Sequence, residues 1–525
     1  MVTVMMLRFR SGGAVRTATR ATATVVGALL TLGTLGAGPA TAAPSPTVTV
    51  IVDAAAPGTL IPDDFVGLSF EADQLHRTWT DPDRGNVAAL LRTLGTGNLR
   101  FSANQVDNTA WMPDATKPVP SWTTNGQHVV PEDLSRLGRL ARATGWSVDL
   151  GVNLGHFDPA AAADQAAAAH RRIGESLRSI QIGNEPNAYL LNLPQGNRRN
   201  YLPDSYVRDV RVYRAAIAAA APGVRIEGPD LAAGSVGVPA VDPVMWSQVV
   251  APWLDAYVDA FGDRSRYLNQ HYYPWVNVTR LGMPAGAADA AGALPTVDRL
   301  LEPATRAKQE RFLRQFAAVA HRAGLKPLLS ETNSAAKEGR EGVTNSFGAA
   351  LWTVDYLMTA ARAGVAGVNL HNQVDDCQSY PVFCFPTAAA RRSDTAVVNP
   401  NYYAALMVSH VAGGRMLRTT VNGQAQVTAY GVRMPDGRIT VIVNNLDPRW
   451  RGDVTVKFRG AGVTSATVQK LTGPSIHAVR GTRLAGSAVN AQGGFTARPA
   501  GLDVRRGASV QVGFARQASA LLTVN

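Results

Sequence analysis

The chain has 525 residues, 46% hydrophobic and 17% charged. It is too long for one simple domain and rich enough in apolar residues for a sizeable core, which excludes an intrinsically disordered chain. The net charge is +12, but no basic run is interleaved with aromatics, so nucleic acid is not an expected partner.

Residues 1–42 stand apart. Arg8, Arg10, Arg16 and Arg20 precede the apolar stretch ATVVGALLTLGTLGAG, and Ala40-Thr41-Ala42 offers a small-residue cleavage site. This is the pattern of a secretory signal peptide. Of the +12, four charges belong to its arginines, leaving +8 for the rest. No later segment has the ~18 uninterrupted apolar residues of a membrane helix, so a secreted, extracellular protein without a stable membrane span is expected. Basic charge favours anionic substrates through long-range attraction, although scattered arginines point to compositional bias.

Residues 43–60 contain TVTVIVDA (47–54), a strand expected to add an edge to a β-domain formed much later in the chain. From 61 to 414, short apolar runs alternate with amphipathic stretches. The runs are FVGLSFE (65–71), NLRFSAN (98–104), WSVDLGVNL (146–154), LRSIQIGNE (177–185), VRIEGPDL (224–231), YLNQHYY (267–273), KPLLSE (326–331) and VAGVNLHN (365–372). Between them, segments such as PEDLSRLGRLARATG and TRAKQERFLRQFAAVAHRAG repeat apolar residues every three or four positions and stop at glycine, as helices do. Alternating strands and helices imply parallel pairing with crossovers. Eight units make a closed (β/α)8 TIM barrel, with an open doubly wound sheet as the alternative. Residues 415–525 change character. Runs such as RITVIVNNL, DVTVKF and SVQVGF lie between Gly, Asp and Asn turns, which predicts a C-terminal all-β sandwich.

Two features carry chemistry. Glu185, in IGNEPN, and Glu331, in SETNS, close the fourth and seventh runs. A strand of a (β/α)8 barrel delivers its C-terminal side chain to the active-site rim. Two carboxylates sharing one cleft are the apparatus of glycoside hydrolysis, one as acid and one as nucleophile or base. A single buried glutamate also suits a structural ion pair; the pair favours catalysis. Asn184 is placed to bond a sugar hydroxyl. Cys377 and Cys384 form a close pair in a chain expected to be exported, and one small-loop disulfide is expected. Two free thiols are the alternative, and two cysteines without clustered histidines make a poor zinc site; glycoside hydrolysis by two carboxylates requires neither metal nor organic cofactor.

The motifs LSFEAD, LRFSANQVDNTAW, IGNEPN, GPDL, HYYPW and SETNS, in that order, resemble the heparanase and β-glucuronidase family (family 79) of retaining glycoside hydrolases, over essentially the whole chain after the leader. The resemblance implies that Glu185 is the acid/base and Glu331 the nucleophile, with Asn184 on the sugar. It implies that Tyr272 touches the nucleophile or substrate, although HYY offers two tyrosines and only one points inward. Glu71 and Asn104 would line the subsite of the non-reducing sugar, Arg100 would keep the nucleophile ionised, and Tyr380 would help bind a uronic carboxylate. The implied activity is β-glucuronidase, acting on a uronic-acid-containing glycan or glycoconjugate. The chain departs from the family at Ser102-Ala103, where relatives carry a glycine pair, and at Ala336-Lys337-Glu338-Gly339, where they carry a tyrosine and glycines that bind the carboxylate. Lys337 offers a positive charge there, or is a solvated loop lysine. Two alternatives stand beside this reading: a β-glycosidase for a neutral sugar, and a non-catalytic glycan-binding protein.

Overall fold

The computed structural model describes residues 47–189, 201–232 and 246–525; the predicted leader, 1–42, lies outside them. Eight parallel strands close into a barrel: Val66–Glu71, Asn98–Ser102, Ser147–Val152, Leu177–Ile182, Ile226–Leu231, Tyr267–Tyr272, Lys326–Thr332 and Gly367–His371. They are called strands one to eight below. Strand eight bonds to strand one, with Leu370 opposite Leu68, which rules out the open sheet.

An α-helix follows every strand, including Pro131–Thr144 after strand two, Pro303–Arg322 after strand six and Phe347–Ala363 after strand seven. Their starts are chemically marked. Asp158 and Ser346 accept the backbone N–H of Ala161 and Ala349, satisfying donors that a helix start leaves unpaired. Gly145 and Gly364 end their helices in the left-handed conformation.

Side chains on alternate positions of each strand face inward, and many here are polar. Asn369 donates to Asn98 at 2.8 Å. Below the rim, Asp149 accepts from Arg178 and from Ser179. The apolar face of each strand instead meets the helices in one large core.

A second sheet of eleven strands follows the barrel. Val48–Leu60 lies inside it and not at its edge, antiparallel to Arg415–Asn422 and parallel to Gly452–Arg459. Val48, Val50 and Val52 have no exposed surface and pack with Val441, Val454, Val456 and Val512. Burying each contributes about 1.5–3 kcal/mol relative to exposure. Strands along the hydrogen-bonded path share this core, except at the end where Leu484 joins the barrel core, so the sheet curls over itself and the predicted sandwich is built from one continuous sheet.

Its other face packs on the barrel helices. Phe347–Ala363 is buried over 15 consecutive residues, Phe347 to Ala361, because strands cover one side and the β-sheet the other; a helix so enclosed is apolar nearly all round. Its one buried acid, Asp355, accepts hydroxyls from Thr428 at 2.6 Å and Tyr430 at 2.7 Å. Replacing Tyr430 by Phe removes one donor from this buried cluster and should cost about 1–3 kcal/mol in urea unfolding.

Candidate active site

Glu331 lies near the C-terminal end of strand seven. The register against strand six slips between Leu329 and Glu331, and such irregularities re-aim a side chain. Its carboxylate is 2.8 Å from the Arg100 guanidinium and accepts the Tyr273 hydroxyl at 2.8 Å. Arg100, from strand two, is fully buried. It also donates to Gln181 at 2.7 Å, Ser69 at 3.0 Å and Asn184 at 2.9 Å.

Glu185 sits three residues beyond strand four, with φ of +47°. A non-glycine residue there is strained, and such strain gathers at functional sites. The conformation is held by its N–H, which donates to the Asp230 carbonyl at 2.9 Å, and its Oε1 is 3.0 Å from His271 Nδ1. Atoms of Glu185, His271 and Glu331 come within 4.8 Å of one another. A cation would fit that spacing, but the charges disfavour one. Arg100 already occupies Glu331, and its fixed positive charge beside the three groups opposes a metal cation.

Burial works against a charged His271, but the Glu331 charge, the Asp230 carboxylate 3.7 Å from Nε2 and the Glu185 hydrogen bond outweigh it and push its pKa up to about 9. His371 is likewise raised, with burial opposed by Glu331 and Glu71. Burial alone would raise Glu331; His371, His271, Arg100 and the Tyr273 hydrogen bond together hold it well below the usual carboxylate range. Burial and the Glu331 charge push the Tyr273 phenol far up, so it remains a donor.

These residues open on a cavity of about 520 Å³, whose walls include Glu71, Asn104, Glu185, Tyr273, Glu331 and Tyr380. Glu71 accepts the Gln105 N–H at 2.8 Å. The Asn184 amide donates to Asn104 at 3.3 Å. Arg100 is fully buried and Asn184 almost so, which places both behind the cavity wall. Arg100 is therefore a partner of Glu331 and not a sugar ligand. Tyr380 lies in the loop closed by the Cys377–Cys384 disulfide, whose S–S distance is 2.02 Å. Asn333 and Asn401 donate to its carbonyl, each at 3.2 Å.

Tyr272 requires correction. Strand six turns Asn269, His271 and Tyr273 inward, and the period of two sends Tyr272 outward. Its ring stacks on Phe312 of the Pro303–Arg322 helix at 4.3 Å, and its hydroxyl has no hydrogen-bond partner among the described residues. The neighbouring Tyr273 reaches Glu331. Sequence reasoning also passed over His271, His371 and Arg280. The inward alternation through YLNQHYY would have found His271 and Tyr273 together; Arg280, in the short 3-10 helix Val278–Leu281, carried no signal.

No protein-family model matches the chain. It superposes on a 4-O-α-L-rhamnosyl-β-D-glucuronidase from Fusarium oxysporum with a TM-score of 0.70 and 19% identity, covering 90% of this chain and 100% of that one. A family 51 arabinofuranosidase from Xanthomonas axonopodis pv. citri gives a TM-score of 0.62 at 14% identity, covering 91% and 100%. The fold is thus that of barrel glycoside hydrolases with an additional β-domain. Within that fold the sequence is similar to β-glucuronidases: 30% identical over 125 residues to one from Aspergillus niger, spanning 23% of this chain and 22% of that protein. A second match, to one from Neurospora crassa, is 46% identical over 44 residues, 8% of each chain.

The two tyrosines separate cleanly by substitution. Tyr273→Phe should make Glu331 titrate at higher pH, read by carboxyl ¹³C NMR, because a hydrogen bond to the ionised form is lost. Tyr272→Phe should leave that titration unchanged and keep or raise stability by about 1 kcal/mol, because it deletes an unpaired buried hydroxyl.

Proposed function

We propose that this chain is an exported, retaining β-glycoside hydrolase that releases β-linked glucuronate from polysaccharide or glycoconjugate ends. The observation that carries the reading is the approach of Glu185 and Glu331, whose nearest oxygens lie within 4.8 Å. Retaining enzymes hold their carboxyls about 5–5.5 Å apart, whereas inverting enzymes leave roughly 6.5–9.5 Å for a water. Glu331, held ionised by its cationic neighbours, attacks the anomeric carbon while Glu185 protonates the departing oxygen. Water then cleaves the glycosyl ester, with Glu185 taking its proton. Export is supported by the leader-like residues 1–42 and by the disulfide.

The uronate preference is supported by the loop after strand seven. Lys337 and Arg280 both border the cavity. Lys337, Glu338 and Gly339 take φ of 59°, 62° and 65°, left-handed values that strain the first two. The loop lies against Tyr380: a Cβ on Gly339 would come within 2.8 Å of that ring. A cation thus borders the cavity beside the tyrosine that the family resemblance assigns to the carboxylate, in place of the relatives' backbone amides.

A panel of aryl β-glycosides, with product stereochemistry followed by NMR, tests the reading. Hydrolysis of the glucuronide with retention is expected, and Glu331→Gln should abolish it. Turnover of neutral glycosides alone would reject the uronate, and saturable glycan binding without hydrolysis would reject the enzyme. Lys337→Met should raise KM for the glucuronide by about 10–100-fold, the loss of one charged hydrogen bond of about 1.5–3 kcal/mol, with little change for a glucoside.

A further inference from the structure

His271 lies between the two carboxylates. It is fully buried, with Nδ1 3.0 Å from Glu185 and Nε2 3.7 Å from Asp230. The charged groups around it come from four other strands or strand ends. They are Arg100 from strand two, Glu185 beyond strand four, Asp230 from strand five and Glu331 from strand seven, with the Tyr273 phenol beside it in its own chain segment. Arg100 reaches Glu331 at 2.8 Å and Asp230 at 3.6 Å, but among the described residues no contact joins it to Glu185.

We propose that His271 is a permanent imidazolium that serves each carboxylate in turn, and that Asp230 anchors it. The inference rests on the double-displacement reading and adds two positioning residues to it. In the first step a Glu331 oxygen bonds to the anomeric carbon, the bond to the leaving oxygen breaks, and that oxygen takes the proton of Glu185. Glu331 thereby loses its negative charge as an ester and Glu185 gains one. In the second step water adds to the anomeric carbon, gives a proton to Glu185, and the ester's electron pair returns to Glu331. The negative charge thus moves from one carboxylate to the other and back.

A buried cluster is least stable when charge is left uncompensated. Before reaction the double displacement requires a protonated acid/base, so Arg100 and a charged His271 balance Asp230 and Glu331, while His371 faces Glu71. In the glycosyl ester they balance Asp230 and Glu185, with Glu331 neutral. A neutral imidazole leaves one unmatched negative charge in both states. Arg100 serves only the first carboxylate; His271 contacts the second directly and lies within 4.8 Å of the first. Fixed charges already facing the place where charge develops need no reorganisation during reaction. Asp230 belongs to the GPDL motif, which the catalytic pair leaves without a role. It sits at φ of +56°, accepts the Glu185 N–H through its carbonyl, and faces His271 with its carboxylate.

The test is ¹⁵N NMR of histidine-labelled wild-type protein, with the His271 resonances assigned by His271→Gln. Both ring nitrogens should carry protons from about pH 7.5 to about pH 8, where a free histidine, with its pKa of about 6.5, is largely neutral. They should remain protonated once a 2-fluoro-β-glucuronosyl fluoride has trapped the ester. A neutral ring in the free protein, or loss of its proton on trapping, overturns the proposal. Asp230→Asn should make His271 titrate at lower pH and slow formation and hydrolysis of the ester by similar factors, on the order of 10²-fold. Slowing of only one step would overturn the shared role. The free-protein spectrum needs no turnover, so the readings fail separately. Hydrolysis with a neutral His271 defeats this inference alone, whereas a charged His271 in a protein that cleaves no glycoside defeats the hydrolase reading.

Discussion

A guanidinium with no exposed surface stands at the centre of this molecule. Arg100 reaches from strand two to Ser69 on strand one, Gln181 on strand four, Asn184 just beyond it and Glu331 on strand seven. Its planar fork makes these contacts in fixed directions, which a lysine cannot do. Burying such a group is unfavourable unless every donor is met, so the polar barrel interior is a requirement of Arg100 as much as a setting for catalysis. Because the same group holds Asn184 and Glu331, it also fixes where Glu185 begins.

Around that guanidinium the two histidines divide the space. His371 faces Glu71 at 3.5 Å on the side of the cavity formed by strands eight and one, while His271 faces Glu185 and Asp230. Both are raised by the negative charges they meet. An anionic substrate of the kind proposed would therefore enter a pocket whose acids face buried cations. This reconciles the proposed uronate ligand with a wall containing Glu71, Asp73 and three further glutamates.

Much of this was legible before any coordinates. Periodicity gave the eight strands, because strands buried on both faces read as short apolar runs and their helices as repeats of three and four. Glu185 and Glu331 stood out because two carboxylates, each closing an apolar run of one barrel, suit a shared cleft better than two separate ion pairs. Tyr272 was misread because motif resemblance names a tyrosine without fixing its parity, and strand geometry alone decides which of two neighbours faces the axis. His271 was hidden for the opposite reason: its importance lies in Asp230 and Glu185, which come from other strands. The single hydrogen-bonded path through the β-domain was also invisible, since pairing between distant segments leaves no local pattern.

The strand Val48–Leu60 pairs on both sides with segments made hundreds of residues later. During synthesis it leaves the ribosome first among the described elements and waits, unpaired and valine-rich, while the entire barrel is translated. Pairings so distant in sequence close slowly, and an open strand edge invites association with other chains in the interval. Completion of the β-domain thus waits until the segments at 415–422 and 452–459 have been made.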